Sequence, residues 1–347
     1  MSNQEILKYI GDDTLSVVEA MRRIDKNSCG ILFVVDAEER LMGCLTDGDV
    51  RRYLLAGGGL DDSVMNAVNR NLKYSYTTEE AQHLYHKKNF VAIPIIDEDK
   101  KILDIYFGDE SIERAKLNIP VVINAGGKGT RLDPFTRVLP KPLIPVGELP
   151  IIELIMKEYQ SYACNDFHII VNYKKELMKA YFADNDREYD ISWYDEKQPL
   201  GTGGGLSLLK GKIDTTFFFA NCDALLTANY GSILQFHREN QNVITMICAY
   251  KNISIPYGVV EMGVNGKIEG MKEKPEISIL TNTGIYLVEP SVLDDVEDGV
   301  SIGFPDIIEK QRQKGNRVAV FPVSENDWMD MGQIPELEKM RAKLYGE

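Results

Sequence analysis

The amino-acid sequence predicts two domains: a small duplicated α+β unit and, after it, a doubly wound, mostly parallel α/β sheet. The chain has 347 residues, which exceeds the usual size of one domain. A helix–strand–strand pattern occurs twice near the start, and β-rich apolar runs alternate with helical patterns through the remainder. We therefore expect one domain over residues 1–115 and a second over residues 119–347.

The composition limits the partners and the compartment. The net charge is −14, and an acidic surface disfavours nonspecific binding to nucleic acid or to an anionic membrane. The first residues lack the basic and apolar segments of a signal peptide, and no apolar run approaches the roughly 20 residues of a membrane helix. The five cysteines are scattered without a CxxC pair, which is typical of reduced thiols. We expect a soluble cytoplasmic protein.

The first domain contains an internal repeat. "ILFVVDAEERLMGCL", residues 31–45, is a hairpin pattern that returns 61 residues later as "AIPIIDEDKKILDIY", residues 92–106. An amphipathic helical stretch precedes each copy, beginning at Leu15 and at Thr78. A helix–strand–strand unit that occurs twice indicates two α+β modules that bury their faces against each other.

The first copy ends in "GCLTDGDVRR", residues 43–52, which resembles the G-x-x-T-x-x-D-x-x-R ending of CBS domains. The resemblance implies a tandem CBS pair over residues 1–115, in which Thr46 and Asp49 would hold the ribose of an adenine nucleotide. The second copy departs from the motif, because it has Phe107 and Glu110 at the equivalent positions. The alternative is a structural or oligomerising module without a ligand. CBS pairs commonly associate, so a homodimer or larger homo-oligomer is expected.

The second domain begins, after a charged connector, with a β-like run that ends in a glycine cluster, "NAGGKGTRLDPFTRVLPKPLIPVG", residues 124–147. A P-loop is excluded because Lys128 is followed by Gly129 rather than Ser or Thr, and no glycine precedes it at the spacing that the motif requires. A dinucleotide fingerprint is excluded because Leu132 occupies the place of its third glycine. In a doubly wound sheet, ligands bind beyond the carboxyl ends of the strands, which is where this cluster lies.

The cluster has the properties of a triphosphate site of another kind. Gly126, Gly127 and Gly129 let the backbone approach a ligand closely, and free N–H groups in such a turn bind anions. Arg131 and Lys141 add two cations ten residues apart.

The same run resembles the signature of the sugar-1-phosphate nucleotidyltransferases, G-x-G-T-R-L-x-P-x-T followed by P-K-P-L-x-P-V. The likeness extends over residues 120–347 and implies a Rossmann-like sheet. Further blocks follow in the family's order: "QPLGTGGGL" (198–206), "FFFANCD" (217–223), "YGVVE" (257–261), "EKP" (273–275), "TGIY" (283–286) and "WMDMG" (328–332).

The resemblance implies attack by a sugar-1-phosphate oxygen on the α-phosphorus of a nucleoside triphosphate. The nucleophile is already an anion, so the site needs cations and Mg²⁺ rather than a strong general base. Asp223 and Asp330 are the candidate Mg²⁺ ligands. Arg131 would bind the β- and γ-phosphates, and Lys141 would neutralise the α-phosphate. Lys128 is either a third cation of the site or a solvated surface residue.

The resemblance also assigns the two substrates' binding residues. Nucleotide contacts would come from the glycine cluster together with Thr130, Gln198 and Gly201. The sugar-phosphate contacts would come from Gly258, Glu273, Lys274, Asn282 and Gly284.

The similarity of "WMDMGQ" to the "WMDIGQ" of mannose-1-phosphate guanylyltransferases favours GTP, and a CBS-fused chain of this kind resembles bacterial enzymes that make GDP-sugars for surface glycans. GDP-mannose or GDP-glucosamine would be the product, and glucose and heptose phosphates stay open as the sugar substrate. UTP, CTP and dTTP stay open, as does a non-catalytic nucleotide-binding regulator.

Overall fold

The structure, a computed structural model, describes residues 3–27, 29–87, 90–108, 114–183 and 189–346. The chain divides into two compact units, Met1–Glu113 and Arg114–Glu347. Glu110 and the first half of the predicted connector lie outside the described residues.

The first unit contains four helices and five strands in its described residues. In chain order they are α1 (Asn3–Ile6), β1 (Ile10–Asp12), α2 (Val17–Asn27), β2 (Ile31–Val35), β3 (Leu41–Thr46), α3 (Asp47–Leu55), α4 (Thr78–Lys87), β4 (Ile93–Ile96) and β5 (Ile102–Tyr106).

The predicted internal repeat is confirmed by strand register. The β2–β3 and β4–β5 pairs are both antiparallel. Each carries a register shift at the same place in the repeat, between Val34 and Val35 in the first copy and between Ile95 and Ile96 in the second. Side chains of both hairpins, including Phe33 and Ile105, share one buried cluster, as expected when each copy buries the other's apolar face.

The second unit contains six helices and thirteen strands in its described residues. They are β6 (Val121–Asn124), α5 (Phe135–Val138), β7 (Pro145–Val146), β8 (Leu149–Pro150), α6 (Ile151–Gln160), β9 (Asp166–Val171), α7 (Lys175–Ala183), β10 (Asp190–Asp195), β11 (Phe217–Asn221), β12 (Ala224–Leu226), α8 (Tyr230–Glu239), β13 (Ile244–Ser254), β14 (Val259–Met262), β15 (Ile268–Lys272), β16 (Glu276–Val288), α9 (Phe304–Gln313), β17 (Val318–Val323), β18 (Trp328–Asp330) and α10 (Ile334–Tyr345).

One sheet organises the second unit. Among the described residues its order is β10-β9-β6-β11-β16-β13-β17, and β16 runs antiparallel to both of its neighbours while the other pairs are parallel. The predicted doubly wound, mostly parallel class is confirmed. Side chains of β6 alternate between two cores: Val121 and Ile123 pack with α6 and α8, whereas Val122 packs with Phe304 of α9.

The chain leaves β6 towards β9 on one side and reaches β11 on the other. A crevice beyond the carboxyl ends of the strands forms where a doubly wound sheet reverses its order in this way. The glycine cluster directly follows β6 and therefore lies at that crevice.

At the opposite end of the strands, a polar network centred on the buried His237 of α8 stabilises the sheet. Its Nδ1 lies 2.8 Å from Thr245 Oγ1, and its Nε2 lies 2.9 Å from Glu289 Oε1. Thr216 donates to the same Glu289 oxygen over 2.6 Å. The network joins the amino ends of β11 and β13 to the segment after β16, far from the glycine cluster in the topology. The imidazole therefore stabilises the fold and belongs to no candidate site.

Replacing His237 by alanine is expected to lower the free energy of unfolding by about 1–3 kcal/mol, because the buried Thr245 and the half-buried Glu289 lose their hydrogen bonds. The hydrogen bond from His237 is the first cause of a lowered pKa of the Glu289 carboxyl. That contribution to stability is present above the carboxyl's unfolded pKa and is lost as pH falls through its folded value. Thermal unfolding from pH 3 to 8 should show a weaker acid-side dependence in His237→Ala, whereas the exposed His83→Ala should match wild type.

Candidate active site

The glycine cluster forms a tight loop at the end of β6. Gly129 has a φ of 64°, and a Cβ there would lie 2.9 Å from both Lys141 Cβ and Thr136 Cγ2. The Thr136 hydroxyl donates to the Gly129 carbonyl over 3.1 Å, which fixes the turn. A Cβ on Gly127 would meet nothing within 4 Å, so the loop is open on that side. Gly129 is required by packing, while Gly127 leaves room for a ligand.

Lys141 lies behind this loop and is nearly buried, with 8% of its surface exposed. Pro140 and Pro142 flank it and are buried as well. Its ammonium group donates a hydrogen bond to Asp223 Oδ2. A buried lysine must be paired, and this partner is one of the two predicted metal ligands.

Asp330 is brought to the same place by strand pairing. β18 runs antiparallel to β12 with Asp330 opposite Ala224, and Met331 N donates to the Asp223 carbonyl over 2.8 Å. Burial, followed by the charge of Asp223, raises the pKa of the Asp330 carboxyl, while Lys141 and Arg131 oppose the rise. The structure thus brings together residues from three separate sequence blocks.

The two aspartates fit a Mg²⁺ ion. In the described part of the chain no group of three or more His, Cys, Asp or Glu side chains has metal-ligand geometry. Mg²⁺ needs fewer, because it is commonly bound by one or two carboxylates with substrate phosphates and water. A carboxyl whose pKa is raised by a neighbouring carboxylate, as that of Asp330 is by Asp223, is one that a divalent cation stabilises in its ionised form.

The other cations of the loop are exposed. Arg131 and Lys128 have exposed side chains, as does the neighbouring Thr130. The guanidinium of Arg131 is close enough to Asp330 to lower the pKa of its carboxyl. Among the described residues neither Arg131 nor Lys128 forms an ion pair. Both are therefore available to a polyanionic ligand. Lys141, by contrast, is bonded to Asp223 and becomes available only when another group shares that carboxylate.

The predicted base contacts follow β10. Gly201 has a φ of 78°, and a Cβ there would lie 2.6 Å from the Ile302 carbonyl oxygen, so packing requires glycine. Gln198 is exposed and donates to the Gly299 carbonyl over 3.1 Å. Its amide is thus partly engaged by the protein itself.

Glu196, which the sequence analysis missed, is the most unusual residue of this region. It is only 6% exposed, and its Oε1 has no hydrogen-bond partner among the described residues. A Cβ on Gly126 would lie 2.9 Å from Glu196 Oε2, and one on Gly205 would lie 2.8 Å from Oε1. Burial raises the pKa of the carboxyl to about 7, opposed by a hydrogen bond from the Leu200 backbone. One oxygen of this carboxyl, Oε1, is thus unpartnered between two glycine loops and could accept a hydrogen bond from a ligand.

The sugar-phosphate candidates form two groups. A Cβ on Gly258 would lie 2.9 Å from Glu273 Oε2, so these two residues are in contact, and Lys274 follows with a φ of 45°. Glu273 and Lys274 are both exposed. No hydrogen bond or ion pair between described residues joins them to Lys141 or Asp223. This group is the open part of the site.

The second group lies on β16, beside β11. Gly284 has a φ of 77°, and a Cβ there would lie 2.4 Å from Asn221 Nδ2. Asn282 accepts from Gly284 N over 3.0 Å and donates to Tyr286 Oη over 2.7 Å. Gly284 therefore lies beside Asn221, which precedes Asp223 by two residues.

In the first unit, Thr46 and Asp49 form a capping box at the start of α3. Thr46 N donates to Asp49 Oδ2 over 3.0 Å, Asp49 N donates to Thr46 Oγ1 over 3.2 Å, and Arg52 pairs with the other carboxylate oxygen. A cavity of about 260 Å³ lies beside them, lined also by Phe33 and Phe90. Asp49 therefore caps α3 and at the same time lines this cavity, so the ligand-binding and the structural alternatives both stay open.

The chain matches the nucleotidyl transferase family over residues 120–346, about two thirds of its length. It belongs to that family. Residues 7–56 of this nucleotidyl transferase also match the CBS domain, which covers the first copy of the repeat. The predicted recognition is confirmed for both.

Relatives of this nucleotidyl transferase have two nucleotide specificities. It is 33% identical over 232 residues to the mannose-1-phosphate guanyltransferase of Schizosaccharomyces pombe, covering 61% of this chain and 60% of that protein. It is 30% identical over 236 residues to a UTP–glucose-1-phosphate uridylyltransferase of Synechocystis, covering 62% and 60%. The match therefore spans about 60% of the length of these relatives.

The fold of this nucleotidyl transferase is similar to that of HddC from Yersinia pseudotuberculosis, with a TM-score of 0.51 and 20% identity over 65% of this chain and 99% of that one. Within the described residues no helix is both long and apolar enough to cross a membrane.

Proposed function

We propose that the protein transfers a nucleoside monophosphate from GTP to a sugar 1-phosphate, releasing pyrophosphate and forming a GDP-sugar. The observation that carries this proposal is the convergence of Lys141, Asp223 and Asp330 at the end of the glycine loop. The positive charge of Arg131 also acts on Asp330 in this group. Two carboxylates and two cations in one crevice suit a reaction between two polyanions.

In the proposed reaction an oxygen of the sugar phosphate attacks the α-phosphorus of the triphosphate. A bond forms between that oxygen and the α-phosphorus, the bond from the α-phosphorus to the bridging oxygen of the β-phosphate breaks, and pyrophosphate leaves with that electron pair. Arg131 would bind the β- and γ-phosphates through its planar donors. Lys141 would turn from Asp223 towards the α-phosphate, where negative charge increases in the transition state.

Mg²⁺ would be held by Asp223 and Asp330 and would supply charge neutralisation at the phosphoryl oxygens. The backbone N–H groups of Gly126, Gly127 and Gly129, with Thr130, would position the phosphates next to the two aspartates. On the other side, Glu273 would accept hydrogen bonds from sugar hydroxyls and Lys274 would pair with the sugar's phosphate. Gly258, Asn282 and Gly284 would complete that half.

Guanine is favoured over other bases by Glu196, which lies next to the predicted contacts of Gln198 and Gly201. The Watson–Crick edge of guanine offers two adjacent donors, N1–H and N2–H, to one carboxylate. Uracil and thymine offer one donor between two carbonyl oxygens, which repel a carboxylate. The names of the guanyltransferase relatives point the same way. GDP-mannose and GDP-glucosamine are the products proposed, for bacterial surface glycans, in the cytoplasm.

The second candidate is a regulator that binds nucleotides without turning them over. A panel of four nucleoside triphosphates and four sugar 1-phosphates, assayed for pyrophosphate release with and without Mg²⁺, separates the two. We expect release with GTP and either mannose or glucosamine 1-phosphate. Binding of GTP without release from any pair would exclude the enzyme.

The CBS pair is proposed to bind an adenine nucleotide through Thr46 and Asp49. Calorimetry with AMP, ADP and ATP should then give binding to wild type and none to Asp49→Ala. That variant also loses its capping box, which costs about 1 kcal/mol of stability. The control Asp36→Ala removes a carboxylate that pairs with Arg40 in the adjacent hairpin turn, and it should bind as wild type does. No heat with any of the three nucleotides would leave the structural alternative.

A further inference from the structure

The 172–174 turn, which consists of Asn172, Tyr173 and Lys174, connects β9 to α7. β9 lies between β6 and β10 in the sheet and is parallel to both. The glycine cluster follows β6, and Glu196 follows β10. The turn therefore leaves the sheet between the two parts of the nucleotide site.

One end of the turn holds the glycine cluster next to Glu196. The side-chain amide of Asn172 donates to the main-chain carbonyl of Glu196 over 3.2 Å. The backbone N–H of Tyr173 donates to the Gly126 carbonyl over 3.4 Å. A Cβ on Gly126 would lie 3.3 Å from Asn172 Cβ and 2.9 Å from Glu196 Oε2. Asn172 therefore lies where it can set the distance between the first glycine and the buried carboxyl.

The other end of the turn holds the segment that closes the glycine loop. The ammonium group of Lys174 donates to the main-chain carbonyl of Thr136 over 3.2 Å and also to that of Arg137. Tyr173 Oη donates to the same Thr136 carbonyl over 3.2 Å. Thr136 is buried, and its hydroxyl donates to the Gly129 carbonyl over 3.1 Å. Two side chains of the turn thus fix the residue that fixes Gly129.

The charge of Lys174 is directed to these backbone oxygens. Lys174 forms no ion pair with any described residue, and its ammonium lies 5.3 Å from the centroid of the Tyr173 ring. The two carbonyls belong to the short helix α5, and the last carbonyls of a helix have no helical partner. Arg131 lies in the loop between Gly129 and Thr136. Its exposed guanidinium is therefore borne by a loop that the lysine holds at one end.

We propose that the 172–174 turn positions the two halves of the nucleotide site separately. Asn172 keeps the carboxyl of Glu196 beside Gly126, where it reads the base. Lys174 keeps the loop that bears Arg131 in the shape that receives the phosphates. The turn acts through residues that touch the nucleotide, so its members are positioning residues. This inference rests on the proposed function, because the proposed function defines both halves.

Calorimetry with GTP and GMP in the presence of Mg²⁺ tests the lysine end in the full chain. GMP keeps the base but lacks the β- and γ-phosphates. Lys174→Met should therefore weaken the binding of GTP about tenfold and that of GMP less than about twofold. Lys174→Arg keeps donors for both carbonyls and should bind GTP as wild type does. The matched control is Lys175→Met, which removes the next charge along the chain, paired with Asp195, and should bind both nucleotides as wild type does.

Asn172→Ala tests the other end of the turn. It should weaken the binding of GTP and GMP by the same factor, about tenfold, because both nucleotides carry the base. It should also reduce the preference for GTP over UTP, since the carboxyl of Glu196 is no longer held beside Gly126. Lys174→Met should leave that preference unchanged.

Three results would overturn the positioning role. They are equal weakening of GTP and GMP by Lys174→Met, an unchanged preference for GTP over UTP in Asn172→Ala, and variants that bind as wild type does. A turn that only stabilised the fold would not separate the two halves. Tyr173→Phe removes a single hydroxyl and repeats the comparison of GTP with GMP if Lys174→Met does not fold.

The same titrations keep this inference apart from the proposed function. A wild type that binds none of the nucleotides would overturn both. A wild type that binds GTP, with variants that do not separate the halves, would overturn the positioning role alone. Binding of GTP without pyrophosphate release would overturn the enzyme and leave the positioning role standing, because the titrations need no turnover.

Discussion

Replacing Asp330 by asparagine is expected to reduce turnover about a thousandfold while leaving the protein as stable as wild type or more so. Loss of a metal carboxylate removes several kcal/mol of transition-state stabilisation, and each tenfold in rate corresponds to about 1.4 kcal/mol. Burial and Asp223 raise the pKa of the Asp330 carboxyl, so its ionised form opposes folding above that pKa. A neutral amide of similar shape removes this cost. Activity and stability should thus move in opposite directions.

Asp223→Asn provides the comparison. It should also abolish turnover, but it takes the counter-charge from the buried Lys141 and should lower the stability by about 3–5 kcal/mol. Assays well below each variant's melting temperature, over a range of Mg²⁺ concentrations, keep the two effects apart. Asp195→Asn, which affects only the exposed ion pairs with Lys175 and Lys179, is the control. Retained activity in Asp330→Asn would contradict the metal assignment.

The sequence predicts the fold class because its strands are buried on both faces and are therefore continuously apolar. β6, β9 and β11 are recognisable for that reason. β10 and β16 are not predicted. β10 lies at the edge of the sheet, with partly exposed side chains, and its "DISWYD" lacks a continuous apolar run. β16 is buried only in its second half, since its first half extends past β11 and pairs with β13 alone.

The candidate site is also predicted only in part from the sequence. Arg131, Lys141, Asp223 and Asp330 are predictable because each lies in a distinctive block, and the structure brings their blocks together. What the sequence cannot convey is their pairing: a lysine that bonds to one metal ligand, and two aspartates aligned by β12 and β18. Glu196 is missed because β10 is missed. An acidic residue two positions before "QPLGTGGGL", immediately after a strand, is the signal that would have indicated it.

Glu196→Gln is expected to reverse the choice of nucleotide. The variant keeps one acceptor and gains a donor, so it can no longer accept both guanine N–H groups but can match N3–H and O4 of uracil. Leaving a buried polar group of the site unpaired costs about 1–3 kcal/mol, which corresponds to a decrease in kcat/KM of up to about a hundredfold. We expect kcat/KM for GTP to fall by that order and kcat/KM for UTP to rise. Glu336→Gln, on the surface of α10, should change neither.

Wild type should show a related dependence on pH. The carboxyl of Glu196 has a pKa of about 7, and its immediate surroundings, Gly126, Gly205 and the backbone of Leu200, carry no charge. Below that pH the protonated acid has one donor and one acceptor and resembles the glutamine variant. The preference for GTP over UTP should therefore decrease as pH falls from 8 to 6 in wild type and stay constant in Glu196→Gln. Equal preferences in the two proteins across this range would show that Glu196 does not read the base, because the groups that titrate elsewhere in the site act on both nucleotides alike.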